Sequence, residues 1–320
     1  MGDVELPIPV LPLPTLEELS LPLRCAKNPP CGGKFVEDVV QLHEIHIILP
    51  RNPLKEDESD FATLPSPNMK VEITLYRPKR KKLSKCDLVE YALYHSPISW
   101  RNVFLRCLKG FEVIEAELTA SGDRYIRPGR DQIFRVFELC PLDRIEVCIL
   151  GQDPYPDSKA CGVAFSVPKM YGISESVQNI YREQRKDLGK DYVNPSHADL
   201  TAWAQRGIFL LNSALTCLAG ESDSHGNGIW DEFISATITE IVRVRKNVVF
   251  MLWGTRAQGY EGRIPTSKHK ALVASHPSPR SYSKGRVPFK DCHHFRLANE
   301  YRAKLKPDPL HPIDWSLPSD

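Results

Sequence analysis

Four short apolar segments, each followed at once by polar residues, dominate the hydrophobic pattern of the chain. They lie at residues 146–150, 208–211, 248–253 and 270–274. Short apolar runs bounded by turn residues are typical of buried strands. Segments with helical spacing separate them, the longest at 176–186 and 231–245. Because strands that alternate with helices form parallel crossover units, the pattern predicts a doubly wound α/β sheet.

Further helices are predicted at 87–94, 100–108, 131–139 and 199–206. The helix at 131–139 carries Ile133, Phe134 and Phe137 on one face. Ser176 opens the helix at 176–186 as a good N-cap residue. The expected fold class is therefore α/β: a single domain with a central, mostly parallel four-stranded sheet flanked by helices, plus an N-terminal extension.

Residues 1–84 are predicted to form that extension, partly disordered, and residues 85–320 the folded domain. Eleven of the 27 prolines lie in residues 1–68. Proline lacks a backbone donor and fixes φ, so the proline-rich residues 6–14 cannot be regular helix or central strand. The segment 36–49 is apolar enough to form a strand or to pack on a surface. A compact basic cluster follows at residues 77–82. It is open to two interpretations: a solvated linker, or a nuclear-import signal or phosphate-contacting patch.

Charge and cysteine content narrow the class of protein. The 320 residues carry a formal net charge of +2, so any surface for nucleic acid must be a local patch. The nine cysteines are scattered, odd in number and without C-x-x-C spacing, which argues against a disulfide framework, a zinc ribbon or an iron–sulfur cluster. A reducing compartment is the natural inference. The start of the chain does not resemble a secretory signal, and no apolar run approaches the ~18 residues of a membrane span.

Polar residues follow the end of every predicted strand. Asp153, Asn212, the pair Gly254-Thr255 and His276 occupy these positions. Each could be an ordinary turn or loop residue. Because parallel strands end on one edge of the sheet, where ligands bind, the set as a whole favours a shared site.

The chemistry open to Asp153, Asn212 and His276 is limited. O-glycoside hydrolysis usually needs two carboxylates, whereas this set has one. The sequence also lacks a P-loop, a dinucleotide glycine fingerprint and a nucleophilic serine elbow. An imidazole and an amide can donate hydrogen bonds to a leaving group that holds negative charge. Removing one such donor typically raises the activation barrier by roughly 3 kcal/mol. The carboxylate would position water and balance an oxocarbenium-like sugar.

A local cationic loop and several serines suggest a second ligand surface. The segment from His276 to Arg296, both included, contains five Lys or Arg residues and one acid. Such a loop is either solvated or a DNA-backbone contact. Ser176, Ser278 and Ser281 carry small hydroxyls of the kind that hold phosphates. Phe165 could lie against a planar ligand or pack in the core.

Four motifs together resemble uracil-DNA glycosylases of the family 1 type. They are Gly151-Gln-Asp-Pro-Tyr155, Leu210-Leu-Asn-Ser213, Leu252-Trp-Gly254 and His276-Pro-Ser-Pro279, and the resemblance spans residues 85–315. It implies hydrolysis of the uracil N-glycosidic bond in DNA, after the base flips into a pocket, leaving an abasic site and initiating base excision repair. It also implies that neither metal nor cofactor takes part.

The resemblance assigns a role to each matching residue. Asp153 is the catalytic carboxylate, and His276 is the neutral donor to uracil O2. Asn212 reads N3–H and O4, Tyr155 excludes a C5 methyl group, and Phe165 stacks on the base. Gln152 belongs to the pocket through its backbone. The DNA-contacting residues are Ser176, Gly254, Thr255, Ser278 and Ser281, with Arg280 in the same loop.

The chain departs from the family pattern at three places. Pro156 replaces a histidine that usually follows the tyrosine, and residues 171–175 replace a proline-rich turn. Arg280 stands where the family carries a leucine that wedges into the vacated base stack. Three residues of the 280–292 loop are candidates for filling that gap: Arg280 itself, Val287 and Phe289. Apolar wedges are the commoner device.

Other classes of protein fit less well. A DNA-binding or replication-partner protein would not need all of Asp153, Asn212 and His276. A thymine/uracil mismatch glycosylase carries asparagine where Asp153 stands, and a nucleoside hydrolase would not need the basic loop. The expected partners are single- or double-stranded DNA containing uracil and replication proteins, with no membrane. The expected state is a monomer, and the expected location is the nucleus, or the host nucleus for a viral member.

Overall fold

The chain divides into two compact units, Met1–Pro78 and Lys79–Asp320. The computed structural model describes residues 35–38, 47–50, 82, 86–122, 125–189, 192–305 and 310–319. In the first unit, strands β1 (Phe35–Asp38) and β2 (Ile47–Pro50) pair antiparallel. Most of the predicted extension, including the basic cluster except Lys82, lies outside the described residues, and the boundary at residue 84 stays a prediction.

A four-stranded parallel sheet is the centre of the second unit. Its order is β5-β4-β7-β8, and every neighbouring pair is parallel. A two-residue antiparallel pair, β3 with β6, lies apart from it. The strands are β3 (Ile126–Arg127), β4 (Val147–Gly151), β5 (Ile208–Asn212), β6 (Cys217–Leu218), β7 (Val249–Trp253) and β8 (Lys270–Ala274). The predicted fold class is confirmed, and each predicted sheet strand lies within one residue of its expected position.

Nine α-helices are present in the described part of the chain. They are α1 (Leu88–Glu90), α2 (Arg101–Arg106), α3 (Leu108–Ser121), α4 (Arg135–Leu139), α5 (Glu175–Leu188), α6 (Thr201–Gln205), α7 (Asp231–Val244), α8 (Thr255–Gln258) and α9 (His294–Ala303). None of the described helices has the length and apolar character needed to cross a bilayer. The seven described cysteines are all free thiols.

The core is built from aromatic side chains on elements packed around the sheet. Phe209 of β5 stacks on Trp100 and meets Phe137 of α4 edge-on. Trp253 of β7 instead packs against Phe289 and Phe295. Strands β4 and β7 are buried along their whole length, as expected when helices cover both faces of a parallel sheet. Sheet and helices thus form a rigid platform beneath the strand ends.

Helices α3 and α9 were not predicted from the sequence. The helix expected at 100–108 ends at Arg106, and α3 begins two residues later, after a break at Cys107. Only Phe111, Ile114 and Leu118 of α3 are fully buried, so its hydrophobic stripe is narrow. A Cβ on Gly110 would lie 2.8 Å from Glu232 Oε2, which shows how closely α3 approaches α7. Tertiary packing, not a strong local pattern, therefore defines this helix.

The predicted N-cap of α5 is wrong by two residues. The helix begins at Glu175, and Ser174 occupies the N-cap position with extended backbone angles. Ser176 therefore lies inside the first turn. The Ser174 hydroxyl does not cap the helix, because it bonds the hydroxyl of Tyr155.

Candidate active site

The site lies where the order of strand addition in the sheet reverses. The chain runs from β4 to β5 on one side and later places β7 on the other side of β4. Such a topological switch opens a crevice beyond the carboxyl ends of the strands. Gly151 at the end of β4 is in register with Asn212 at the end of β5, and Trp253 with Ala274 at the ends of β7 and β8. The predicted meeting of the four strand ends is confirmed.

Gly151 lets an amide and an aromatic ring approach each other. A Cβ at this position would lie 2.6 Å from Asn212 Oδ1 and 3.1 Å from the Phe165 ring, so only glycine leaves room for both. Among the described residues, the Asn212 side chain has no hydrogen-bond partner. Its neighbour Ser213 donates instead to the Gln152 carbonyl, which holds the β4 and β5 loops together. The Asn212 amide thus remains available to a ligand.

Phe165 connects this amide to the imidazole of His276. Its ring centroid lies 5.6 Å from that of His276 and 5.4 Å from that of Trp253. The Phe165 backbone adopts φ +63°, a left-handed conformation that a bulky residue rarely takes. Both packing on Trp253 and this unusual backbone fix the ring beside the two polar groups.

His276 is a neutral imidazole with its proton on Nε2. The backbone N–H of Ser278 donates to Nδ1 at 3.1 Å, so Nδ1 carries the lone pair. Burial lowers the pKa of His276 to about 4. The ring is therefore uncharged at neutral pH and can donate from Nε2. Asn179 of α5 donates to the Pro277 carbonyl at 2.8 Å and so fixes the loop that carries the imidazole.

Asp153 is held through one of its two oxygens. Its Oδ2 accepts the Ser222 hydroxyl at 2.7 Å and the Asp223 backbone N–H at 2.6 Å. Burial raises the pKa of Asp153 above its ordinary value, and these two donors oppose that shift. Oδ1 accepts no hydrogen bond from the described residues. The carboxylate is thus oriented, with one oxygen available to water.

Tyr155 is anchored on both sides. Its hydroxyl lies 2.8 Å from Ser174 Oγ and donates to the Phe165 carbonyl at 3.4 Å. Burial raises the pKa of Tyr155 to about 12, so the phenol stays neutral. Both contacts place the ring next to the Phe165 segment.

A cleft of about 730 Å³ is lined by six of the predicted residues, whereas Asp153, Tyr155, Phe165 and Asn212 are not among its lining residues. Those that line it are Gln152, Gly254, Thr255, His276, Arg280 and Ser281. Ser278 is half-buried beside His276, and Ser176 is half-buried on α5, outside the lining. Three further cations, Arg256, Lys284 and Arg286, face the same space together with two acids, Asp223 and Glu261. The cleft therefore has a cationic excess, as a phosphate backbone requires.

Ser275, directly after β8, closes the basic loop through its hydroxyl and its backbone N–H. Ser275 Oγ donates to the Ser281 carbonyl and accepts the Phe289 N–H, and the Ser275 N–H donates to the Val287 carbonyl. Buried Glu183 of α5 holds the far end, since it accepts the Asp291 N–H at 2.7 Å. The loop is thus tied to β8 and α5.

Burial narrows the choice of wedge residue. Phe289 is fully buried against Trp253, so the expectation that it could enter a base stack is wrong. Val287 is 38% exposed and Arg280 is exposed, and both line the cleft. These two residues remain as candidates for filling the space that a base vacates.

Several supporting residues escaped sequence analysis. They are Ser174, Asn179, Glu183, Ser222, Asp223, Arg256 and Ser275. Ser275 and Arg256 directly adjoin predicted residues, and the others reach a predicted residue or its loop from more distant points in the chain, so no local motif marks those contacts. In the described residues, no group of three or more His, Cys, Asp or Glu side chains is arranged to hold a metal ion.

A parallel α/β sheet whose carboxyl edge carries a carboxylate, an amide and a neutral imidazole offers the groups that hydrolysis of a bond to a planar, negatively charged leaving group requires. The sequence profile of the Uracil DNA glycosylase superfamily matches residues 137–302, more than half of the chain. The chain belongs to this superfamily, which confirms the resemblance found in its motifs.

Individual relatives agree with this assignment. A "Uracil-DNA glycosylase 1" of Bacteroides fragilis is 43% identical over 195 residues, which cover 61% of this chain and 85% of that protein. A "Uracil-DNA glycosylase" of Sinorhizobium medicae is 40% identical over 222 residues, covering 69% of this chain and 87% of that protein. The crystal structure of mimivirus uracil-DNA glycosylase matches with a TM-score of 0.60 and 29% identity, over 67% of this chain and 86% of the other.

Proposed function

We propose that Asp153, Asn212 and His276 carry out the reaction of this enzyme on a flipped-out base. The chain is a hydrolase of N-glycosyl bonds that excises uracil from DNA, which initiates base excision repair. The observation that supports these residue roles is that Asn212 and His276 both lie close to Phe165 at one strand edge, while Asp153 follows Gly151 by two residues at the end of β4, on the same edge.

The proposed chemistry stabilises charge on both sides of the breaking bond. As the bond between N1 of uracil and C1′ of deoxyribose lengthens, the base gains negative charge and the sugar positive charge. His276 donates from Nε2 to O2 of the base, because the ring is neutral and its Nδ1 is already occupied. Ionised Asp153 balances the sugar cation and orients the water that attacks C1′. The products are uracil and an abasic site.

Base recognition is proposed to use the Asn212 amide and two aromatic rings. The Asn212 oxygen accepts N3–H of uracil and its NH₂ donates to O4, while Phe165 stacks on the base. The backbone of Gln152 completes the pocket. Tyr155 occupies the space beside C5, where its two hydroxyl contacts hold it.

Replacing Asn212 with aspartate is expected to change base choice. An ionised carboxylate accepts the amino group of cytosine but cannot donate to O4 of uracil, so cytosine excision should appear and uracil excision should fall by at least about tenfold. Excision rates on matched oligonucleotides containing uracil or cytosine measure this. An unchanged preference for uracil would remove Asn212 from base readout.

Truncating Tyr155 to alanine is expected to admit thymine. Removing the ring opens the space for a C5 methyl group, so thymine excision should become measurable, while uracil excision falls by about tenfold or less. Tyr155→Phe is the matched control: it keeps the ring, loses both hydroxyl contacts, and should still reject thymine. Rejection of thymine by Tyr155→Ala would show that another residue forms the gate.

The DNA strand is proposed to cross the cationic cleft. Ser176, Ser278 and Ser281, with the Gly254-Thr255 turn, contact its phosphates, and Arg280 lies in the same loop. Taking a base out of the stack requires a few kcal/mol, which such contacts offset. We assign the filling of the gap to Val287 rather than Arg280, since apolar side chains are the usual wedges.

One assay tests the activity and its independence of metal and cofactor. The protein is incubated with a single- or double-stranded oligonucleotide containing one uracil, in EDTA, and alkali is then added. Strand scission at the uracil, with release of free uracil, is the expected result. Scission that requires added metal, or none on either substrate, would contradict the proposal. The same gel gives the strand preference.

The basic cluster is proposed to direct the enzyme to the nucleus, where it acts as a monomer with replication proteins as partners. The basic cluster at residues 77–82 supports the first part, because it fits an import signal. A fluorescent fusion of the full chain should accumulate in nuclei, and changing the cluster to alanine should abolish this. Equal distribution of both fusions would contradict import, and a dimer mass in solution would contradict the monomer.

A further inference from the structure

The carboxylate of Asp153 depends on a turn that belongs to a different part of the chain. Ser222 and Asp223 lie between β6 and α7, yet their hydroxyl and backbone N–H are the two donors to Asp153 Oδ2. Asp223 adopts φ +63°, a left-handed conformation that aspartate tolerates better than most residues. The turn is therefore shaped to present its backbone N–H to the carboxylate.

An ion pair holds this turn against the neighbouring strand end. Arg256 of α8, just beyond β7, lies with Nη2 3.2 Å from Asp223 Oδ1 and also donates to the Gly226 carbonyl at 2.6 Å. A Cβ on Gly226 would lie 2.0 Å from Asp223 Oδ1 and 2.5 Å from Arg256 Nη2. The close approach of carboxylate and guanidinium thus requires glycine at this point.

We propose that Asp223 and Arg256 form a clamp that positions Asp153: the ion pair fixes the Ser222–Asp223 turn, and the turn fixes one oxygen of the catalytic carboxylate. Both are positioning residues that act through Asp153, and the inference rests on the catalytic role proposed for that residue. Both also line the cleft in which His276 and Gln152 lie, so their charges act inside the site.

The two charges act on Asp153 in opposite directions. Burial is the main cause that raises the pKa of Asp153; the Asp223 carboxylate raises it further, and the Arg256 guanidinium lowers it. The thiol of Cys217 on β6 also interacts with Asp153, whose charge raises the pKa of that thiol. Because Asp153 must be ionised, activity falls as pH drops through its pKa. This fall of kcat at low pH, the acid limb of its pH profile, therefore measures how Asp223 and Arg256 affect the pKa of Asp153.

Two charge-removing variants should move that limb in opposite directions. Asp223→Asn removes the like charge but keeps both the backbone N–H and a side-chain oxygen that accepts from Arg256, so the turn stays fixed and the acid limb should shift to lower pH by about half a unit. Arg256→Gln removes the favourable charge and releases the turn, so the limb should shift to higher pH by about half a unit, with kcat at pH 8 lowered about tenfold. In the double variant the two charge effects oppose each other, so the limb should return toward its wild-type position, while kcat at pH 8 stays lowered because the turn is still released.

Gly226→Ala tests the position of the ion pair separately from its charges. The added Cβ forces Asp223 and Arg256 apart, while both side chains remain charged. We expect kcat to fall about tenfold and KM for uracil-containing DNA to stay unchanged. Arg263→Gln is the matched control, since Arg263 is exposed and outside the cleft lining, and its profile should equal wild type. Thermal unfolding of each variant checks that the fold is intact.

The outcomes separate this inference from the proposed function. Acid limbs that stay in place, or move in the same direction, would overturn the clamp. So would an Arg256→Gln variant with a raised KM, a weaker salt dependence and an unshifted limb, because that behaviour marks a phosphate contact. If Asp153→Asn is also inactive, only the clamp fails. If Asp153→Asn is fully active, the proposed role of Asp153 fails first.

Discussion

Replacing Asp153 with asparagine is expected to lower kcat for uracil excision about a thousandfold, or roughly 4 kcal/mol of barrier. The asparagine has nearly the same shape and can still accept the Ser222 hydroxyl and the Asp223 N–H. What it lacks is the negative charge opposite the developing sugar cation. The change therefore removes transition-state stabilisation while the DNA-binding surface remains intact.

Single-turnover kinetics and equilibrium binding to uracil-containing DNA measure the two effects separately. Affinity should change by no more than about twofold. Asp157→Asn is the matched control, because Asp157 is an exposed carboxylate four residues further along the same loop, and it should behave as wild type. Wild-type kcat in Asp153→Asn would refute the assigned role, and a loss confined to binding would assign Asp153 to DNA contact instead.

Replacing His276 with alanine is expected to lower kcat by about 10² to 10³-fold, the range found when one preorganised donor to a developing anion is removed. The imidazole has a fixed tautomer and lies beside Phe165, so its Nε2–H needs no reorganisation as charge develops on the base. His311→Ala is the control, since His311 is exposed and near the C-terminus.

The neutral state of His276 can be tested without measuring activity. Because burial lowers its pKa to about 4, the ring should stay uncharged from pH 8 down to about pH 5 and take a proton only below that. Nitrogen chemical shifts of the labelled ring should show protonated Nε2 and unprotonated Nδ1 throughout this range. A titration near pH 6.5, or a proton on Nδ1, would contradict donation from Nε2.

The strands and the strand-end residues could be predicted because their signals are local. Val249–Trp253 is buried on both faces and hence apolar at every position, and such a run is visible without any partner. Parallel pairing then places the ends on one edge, so Asp153, Asn212 and His276 could be grouped before their neighbours were known. The specific assignment to uracil came from the motif resemblance, not from the pattern alone.

The residues that orient these groups could not be predicted, because their partners are distant in sequence. Ser174 bonds Tyr155, and Asn179 bonds the Pro277 carbonyl from 98 positions away. Ser176 looked like a helix N-cap because its residue type fits, but Ser174 occupies that position and bonds the Tyr155 hydroxyl, a long-range contact that the sequence does not reveal. Phe289 looked like a wedge candidate because burial of a single aromatic side chain cannot be read from a loop sequence.

Asp153, Asn212 and His276 are proposed to surround one pyrimidine. A crystal structure with uracil bound is the most direct test. Uracil should stack on Phe165, with N3 and O4 bonded to the Asn212 amide and O2 within hydrogen-bond distance of His276 Nε2. Asp153 should lie on the N1 side, where the sugar would join. Uracil bound elsewhere, or bound beside Phe165 without contact to Asn212 and His276, would contradict this proposal.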